Sequence, residues 1–226
     1  METNLVYSER TAGKGSNEVI SMLHMYALRH NVCGENKAWT IYADNCGGQN
    51  KNSDVLRFLV LLVASGKLRS ACLNFFVKGH TKNNCDRGFG CIKRAYVRRD
   101  LYTVEQVVDM IQNSSTGNEA VNLELQPGEF KDWKSMLEEI YHGVKGIQKF
   151  QLFSIDQSVV QCRKRPSPAA FAQDFRKDKD VPDFAALMTN FYSSAPPSVN
   201  AEKVAELHKK LLRFIPEEHR GDPLFR

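Results

Sequence analysis

The sequence has no Cys-X-X-Cys pair: its six cysteines, Cys33, Cys46, Cys72, Cys85, Cys91 and Cys162, are scattered. That spacing fits no standard zinc finger and argues for reduced thiols rather than a disulfide framework. Long apolar runs are missing too. The longest, Phe58 to Ala64, is far shorter than the roughly 20 residues a bilayer crossing needs, so no membrane partner is expected. Met1-Glu2-Thr3-Asn4 leads straight to Ser8-Glu9-Arg10 without the apolar stretch of a secretory signal, and the expectation is a soluble intracellular protein. There is no large excess of one charge. Lys and Arg number 31 against 26 Asp and Glu, a formal +5, which permits a nucleic-acid partner without requiring one. Internal repeats and low-complexity tracts are absent. Gly13-Lys14 is no nucleotide loop, because the position five before Gly13 is Ser8 where a glycine is needed.

What is present suits a soluble folded chain: 226 residues, 42% hydrophobic and 25% charged, enough for one sizeable core or a core plus an appendage. The organising stretch runs from Ala38-Trp39-Thr40-Ile41-Tyr42-Ala43 into Asp44-Asn45-Cys46-Gly47-Gly48-Gln49-Asn50-Lys51-Asn52. The first part is β-prone and the second is turn chemistry, so a strand should end at Asp44. Asn50 or Asn52 can then cap a helix whose apolar face is Val55, Leu56, Leu59, Val60, Leu62 and Val63. A carboxylate at a strand tip can reach a ligand, and a helix start offers backbone N–H groups to an anion. The alternative is that Asp44 and Asn45 bond only their own backbone in an Asx turn.

A second stretch repeats the pattern. Leu73 to Val77 is apolar, and Lys78-Gly79-His80-Thr81-Lys82-Asn83-Asn84-Cys85-Asp86-Arg87-Gly88-Phe89-Gly90 brings an acidic residue to the start of a helix. Strand, helix and strand over about forty residues make a βαβ unit with parallel strands whose C-terminal tips share one edge. Asp44 and the Gly79-His80-Thr81 loop would lie on that edge. Paired carboxylates holding divalent metals beside phosphate is two-metal chemistry.

Together, residues 44–52 and 78–90 resemble an uncharacterised eukaryotic domain family associated with transposase-derived proteins of ribonuclease-H-like (DDE-type) fold. The resemblance extends from about Tyr7, through Asn17-Glu18-Val19 and Phe130-Lys131-Asp132-Trp133, to the end of the chain. It implies an α/β fold: a mixed sheet flanked by helices, with Asp44 at the second acidic position, Asp86 at the third, and Mg2+ or Mn2+ as cofactor in an active member. The first acidic residue and its strands have no counterpart, because Met1 comes just before the helix expected to follow the third strand. On this reading the chain is a partial core (1–112), an accessory α+β region (113–165) and a loosely packed tail with a terminal helix (166–226).

Candidate metal ligands and catalytic residues are therefore Asp44 and Asp86. Candidate nucleic-acid contacts are Asn45, Gln49, Asn50, Lys51, Asn52, His80, Thr81, Lys82, Lys93 and Arg94. Arg87, Arg98 and Arg99 add to the basic charge, though a solvated helix face accounts equally for Lys93 to Arg99. Cys46, His80, Cys85 and Cys91 could converge on zinc or simply be shielded thiols. Cys162-Arg163-Lys164-Arg165-Pro166, a short basic run, reads as a solvated turn, a phosphate contact or a nuclear-localisation signal.

Elsewhere, Ser16 or Asn17 should cap a helix with Val19, Ile20, Leu23, Tyr26 and Ala27 on one face, His24 lying beside it as a core or a surface histidine. Thr103 and Gln106 form a capping box. Val121 to Leu125 alternates as a strand, Glu129 to Tyr141 has helical spacing, and a hairpin is expected around Asp156-Gln157. Packing should loosen around Phe171, Phe175, Phe184 and Phe191 before a helix from Ala201 to Phe214. Three functions follow: a domesticated or truncated, catalytically silent transposase or integrase remnant that binds nucleic acid, DNA being the possible partner, or protein, with homo-oligomers possible; an active metal-dependent nuclease; or a zinc-stabilised binding module.

Overall fold

A computed structural model describes residues 1–76, 84–126, 128–157, 159–167, 169–177, 183–189 and 193–225. In chain order the elements are β1 (Glu2–Val6), α1 (Ser16–Arg29), β2 (Gly34–Ala43), α2 (Ser53–Ala64), β3 (Leu68–Phe75), α3 (Asn84–Tyr96), α4 (Val104–Gln112), β4 (Asn118–Asn122), α5 (Trp133–Ile140), β5 (Leu152–Asp156), β6 (Val159–Arg163), β7 (Phe171–Asp174), α6 (Phe184–Thr189) and α7 (Ala201–Leu211). The chain is mixed α/β, and none of its described helices is long and apolar enough to cross a membrane. It divides into two compact units, one of Met1–Gly13, Lys82–Pro127 and Ala195–Arg226, the other of Lys14–Thr81 and Gly128–Ser194.

The second unit is built on the expected βαβ element. Trp39, Ile41 and Ala43 of β2 register with Ala71, Leu73 and Phe75 of β3, and the two strands are parallel. Alternation puts these six on one face, where α2 covers them. Val55 and Leu56 and every residue from Phe58 to Val63 are buried. A helix buried all round has no polar stripe, so the apolar face read from the sequence was too narrow. The expected hairpin forms too, but β5 also pairs antiparallel with β3, giving one five-stranded sheet in the order β2-β3-β5-β6-β7. Phe153, Ile155, Val160 and Cys162 thereby join the core of Ala71, Leu73 and Phe75. The stretch read as an accessory region thus supplies strands to the main sheet, a pairing that local periodicity does not encode.

Trp133 and Leu137 of α5 complete that core with Ile20 of α1. In α1 the buried positions are Glu18, Ile20, Ser21, His24 and Ala27, while Tyr26 is exposed, so the inward face is rotated from the one expected. The cap is Gly15 rather than Ser16 or Asn17, because the Glu18 carboxylate reaches back to accept the Gly15 N–H at 2.7 Å. Under the helices, Arg57 donates to Asp54 at 2.9 Å and to the His142 carbonyl at 3.2 Å. Ser16 donates to the other oxygen of Asp54 at 2.7 Å, so this buried charge is paired and hydrogen-bonded. Phe171 is exposed, as a loose segment would have it, but Phe175 is buried and Phe184 packs against the core. Phe191 lies outside the described residues.

The first unit holds a parallel pair, Glu2↔Asn118 through Val6↔Asn122. β1 had no sequence signal. β4 ends where Asn122 accepts the Glu124 N–H at 3.0 Å and caps a short 3-10 turn, so the strand expected to reach Leu125 stops earlier. α4 opens with the expected box, Thr103 accepting the Gln106 N–H at 3.2 Å. The last helix stops at Leu211 and continues as a 3-10 turn to Phe214.

Candidate nucleic-acid interface

β2 ends at Ala43, and Asp44 opens the turn. Its Oδ1 accepts the Cys46 N–H at 3.3 Å and an N–H of the Asn50 side chain. That is the Asx turn. Folding the loop back on itself, the Cys46 carbonyl accepts the N–H groups of Gln49, Asn50 and Lys51 at 3.3, 2.8 and 2.9 Å. Asn52 is the cap: its Oδ1 accepts from Asp54 at 3.0 Å and Val55 at 3.1 Å, while its amide donates to the Gln49 carbonyl at 2.9 Å. The helix start was expected to hold free donors for an anion. The N–H groups of Asp54 and Val55 are instead taken by Asn52, as capping requires.

Asn45 and Lys51 are spent in the same way. The Asn45 amide donates to the Phe76 carbonyl, pinning the end of β3 to the β2 turn. Lys51 is 2% exposed; its Nζ donates to Asn45 Oδ1 at 3.0 Å and lies 5.2 Å from the centre of the Phe75 ring. Burial pushes its pKa down. A lysine usually keeps its ammonium in water, so nothing in the sequence flagged this one as an internal brace. Gln148, also unforeseen, donates to the Lys51 carbonyl at 3.3 Å. Asp44 stays exposed, and its Oδ2 has no hydrogen-bond partner among the described residues.

Asp86, Lys93 and Arg94 lie in the first unit. Asp86 sits exposed in the first turn of α3, and Lys93 and Arg94 are exposed in its last turn, each where the helix dipole favours its charge. Arg87, Arg98 and Arg99 are exposed as well, as are the rings of Phe89 and Tyr96. Asp44 and Asp86 thus belong to different units. His80, Thr81 and Lys82 lie outside the described residues. A cleft of about 390 Å³ that no motif announced is lined by Ser8, Thr11, Glu105, Glu124 and Asp222. Its Glu124 is held by the Ser8 N–H at 2.9 Å and the Thr11 hydroxyl at 3.1 Å.

A hard divalent cation needs several oxygen ligands. Around Asp44 the described groups are one carboxylate, N–H donors and a buried ammonium, a set that suits a turn better than a metal. Among the described residues no three His, Cys, Asp or Glu side chains gather closely enough to hold an ion. The donors in view do not fit Mg2+, Mn2+ or zinc by themselves.

Compared with known proteins, residues 5–166 match the model of a family described as a domain of unknown function, DUF7869. No curated protein matches the chain, and no solved structure does.

Proposed function

We infer that this chain, which belongs to the DUF7869 family, is a nucleic-acid-binding relative of ribonuclease-H-like transposases that has lost strand cutting. The observation that carries this reading is the Asp44 turn. A strand tip, an acidic residue and a capped helix follow one another as a phosphoryl-transfer edge would need, but one oxygen of Asp44, Oδ1, is taken up by the N–H groups of Cys46 and Asn50. A lone carboxylate held by donors supplies too few ligands for two metals. Binding is supported by the cations Arg87, Lys93, Arg94, Arg98 and Arg99, all exposed on or just after α3. Such charges act on phosphate without reading sequence.

The purified chain should bind duplex DNA at low salt and leave supercoiled plasmid intact in manganese. Lys93→Gln and Arg94→Gln should each weaken binding uniformly and reduce the salt slope by about one. A second reading, an active nuclease using Mg2+ or Mn2+, draws on the exposed Oδ2 of Asp44. Manganese-dependent nicking that disappears in both Asp44→Ala and Asp86→Ala would establish it and overturn the silent one. Absence of DNA binding at low salt would remove the binding role.

A further inference from the structure

The five-stranded sheet has a second face. Opposite the core residues, Thr40 and Tyr42 register with Cys72 and Asn74, and Ser154 with Gln161. None of these is buried, and most are polar. At the rim by the C-terminal tips of β2 and β3, the face carries two aromatic rings. Tyr42 is 65% exposed and stacks on Phe76, with centroids 6.0 Å apart and planes 26° from parallel. The hydrogen-bond ladder fixes what else reaches that rim. Phe76 donates to the Ala43 carbonyl at 3.1 Å, Phe75 to Gln151 at 2.8 Å, and Gln151 to Arg163 at 2.8 Å. Arg163 therefore ends β6 level with the end of β2, and exposed Lys164 and Arg165 follow it. The basic run that looked like a plain turn lies three strand spacings from Tyr42, about 14 Å at the usual separation.

We propose that this rim and the adjoining sheet face, carrying Tyr42, Phe76, Asn74, Arg163, Lys164 and Arg165, bind single-stranded nucleic acid. The inference rests on the nucleic-acid reading above and names its substrate class. Exposed rings on a sheet stack unpaired bases, which a duplex keeps hidden, and flanking cations take the phosphates. Charge sets the placement. Asp156 stands at the opposite end of the face, in register with Ser70, as does Asp174, in register with Val159 and ion-paired with Arg176 at 2.8 Å. They leave the cationic rim as the track. Asp44, two residues after Tyr42, has one oxygen engaged by two N–H donors.

Fluorescence anisotropy of a labelled oligothymidylate, set against a hairpin duplex, tests this at fixed low salt. Tyr42→Ala should bind the single strand about tenfold more weakly, within the range one stacked base contributes. Tyr42→Phe should bind like the parent, and Lys164→Gln should lower the single-strand salt slope by about 0.7. Circular dichroism of each variant checks the fold, and the exposed position of Tyr42 makes disruption unexpected. Parent-like affinity in Tyr42→Ala with an unchanged slope in Lys164→Gln overturns the proposal. If the duplex binds and oligothymidylate does not, this surface fails while the broader binding role stands. If neither binds, both fail.

Discussion

His24 is the residue whose surroundings most alter its chemistry. It is 9% exposed, edge-on to Trp133 at 5.3 Å and to Phe58 at 6.5 Å. Burial, then the nearby charge of Lys131, lowers its pKa from 6.5 to about 4. The folded state therefore prefers the neutral ring. Its stabilising share is intact above the unfolded pKa near 6.5 and is lost as pH falls towards the folded value near 4. Between pH 7 and pH 5 that loss should be about 2 kcal/mol. Urea unfolding of the parent and of His24→Leu at both pH values measures it: the variant, though offset at pH 7, should lack that component of the acid loss. An equal fall in both would mean the ring is solvated in the native state. The sequence allowed a core or a surface position for this histidine, because only tertiary packing against α5 decides between them.

At the scale of elements, α2 depends on how its first turn is closed. Asn52 satisfies two backbone N–H groups there, and the helix it starts is buried from Asp54 to Val63. Asn52→Ala should cost about 1 kcal/mol, seen as a lower urea midpoint, whereas Asn52→Asp should keep most of the stability. This element was legible in the sequence, since the β-prone run, the turn and the capping asparagine are all local. Lys51, one residue before the cap, was not: the default for lysine is water, and its place under Phe75 arises from the β2–β3 pairing. The order of strands beyond β3 escaped for a related reason. Leu73↔Phe153 joins residues far apart in the chain, and nothing in either segment's alternation names its partner. β1 escaped because only pairing with β4 makes so short a segment a strand. At the site, the strand tip and the turn were readable, but the way Asn45, Asn50 and Asn52 would spend their side chains on Phe76, on Asp44 and on the first N–H groups of α2 was not.

For the whole molecule, the partition into two units has a thermodynamic consequence. Each unit is assembled from separate stretches of chain, so the long-range pairings, β1 with β4 in one and β3 with β5 in the other, have to form before either is closed. The large apolar cluster of α2, β3, β5 and α5 belongs to the second unit, and both tryptophans, Trp39 and Trp133, lie there. Chains that divide into more than one compact unit commonly depart from two-state unfolding. Leu123 is 1% exposed in the first unit, and truncating a side chain so buried costs about 2–5 kcal/mol. Leu123→Ala should therefore bring forward part of the far-UV circular dichroism transition in urea. Tryptophan fluorescence, which reports the other unit, should keep its parent midpoint. If both signals shift together by the same amount, the two units unfold as one cooperative body and the independence argued from their division is wrong.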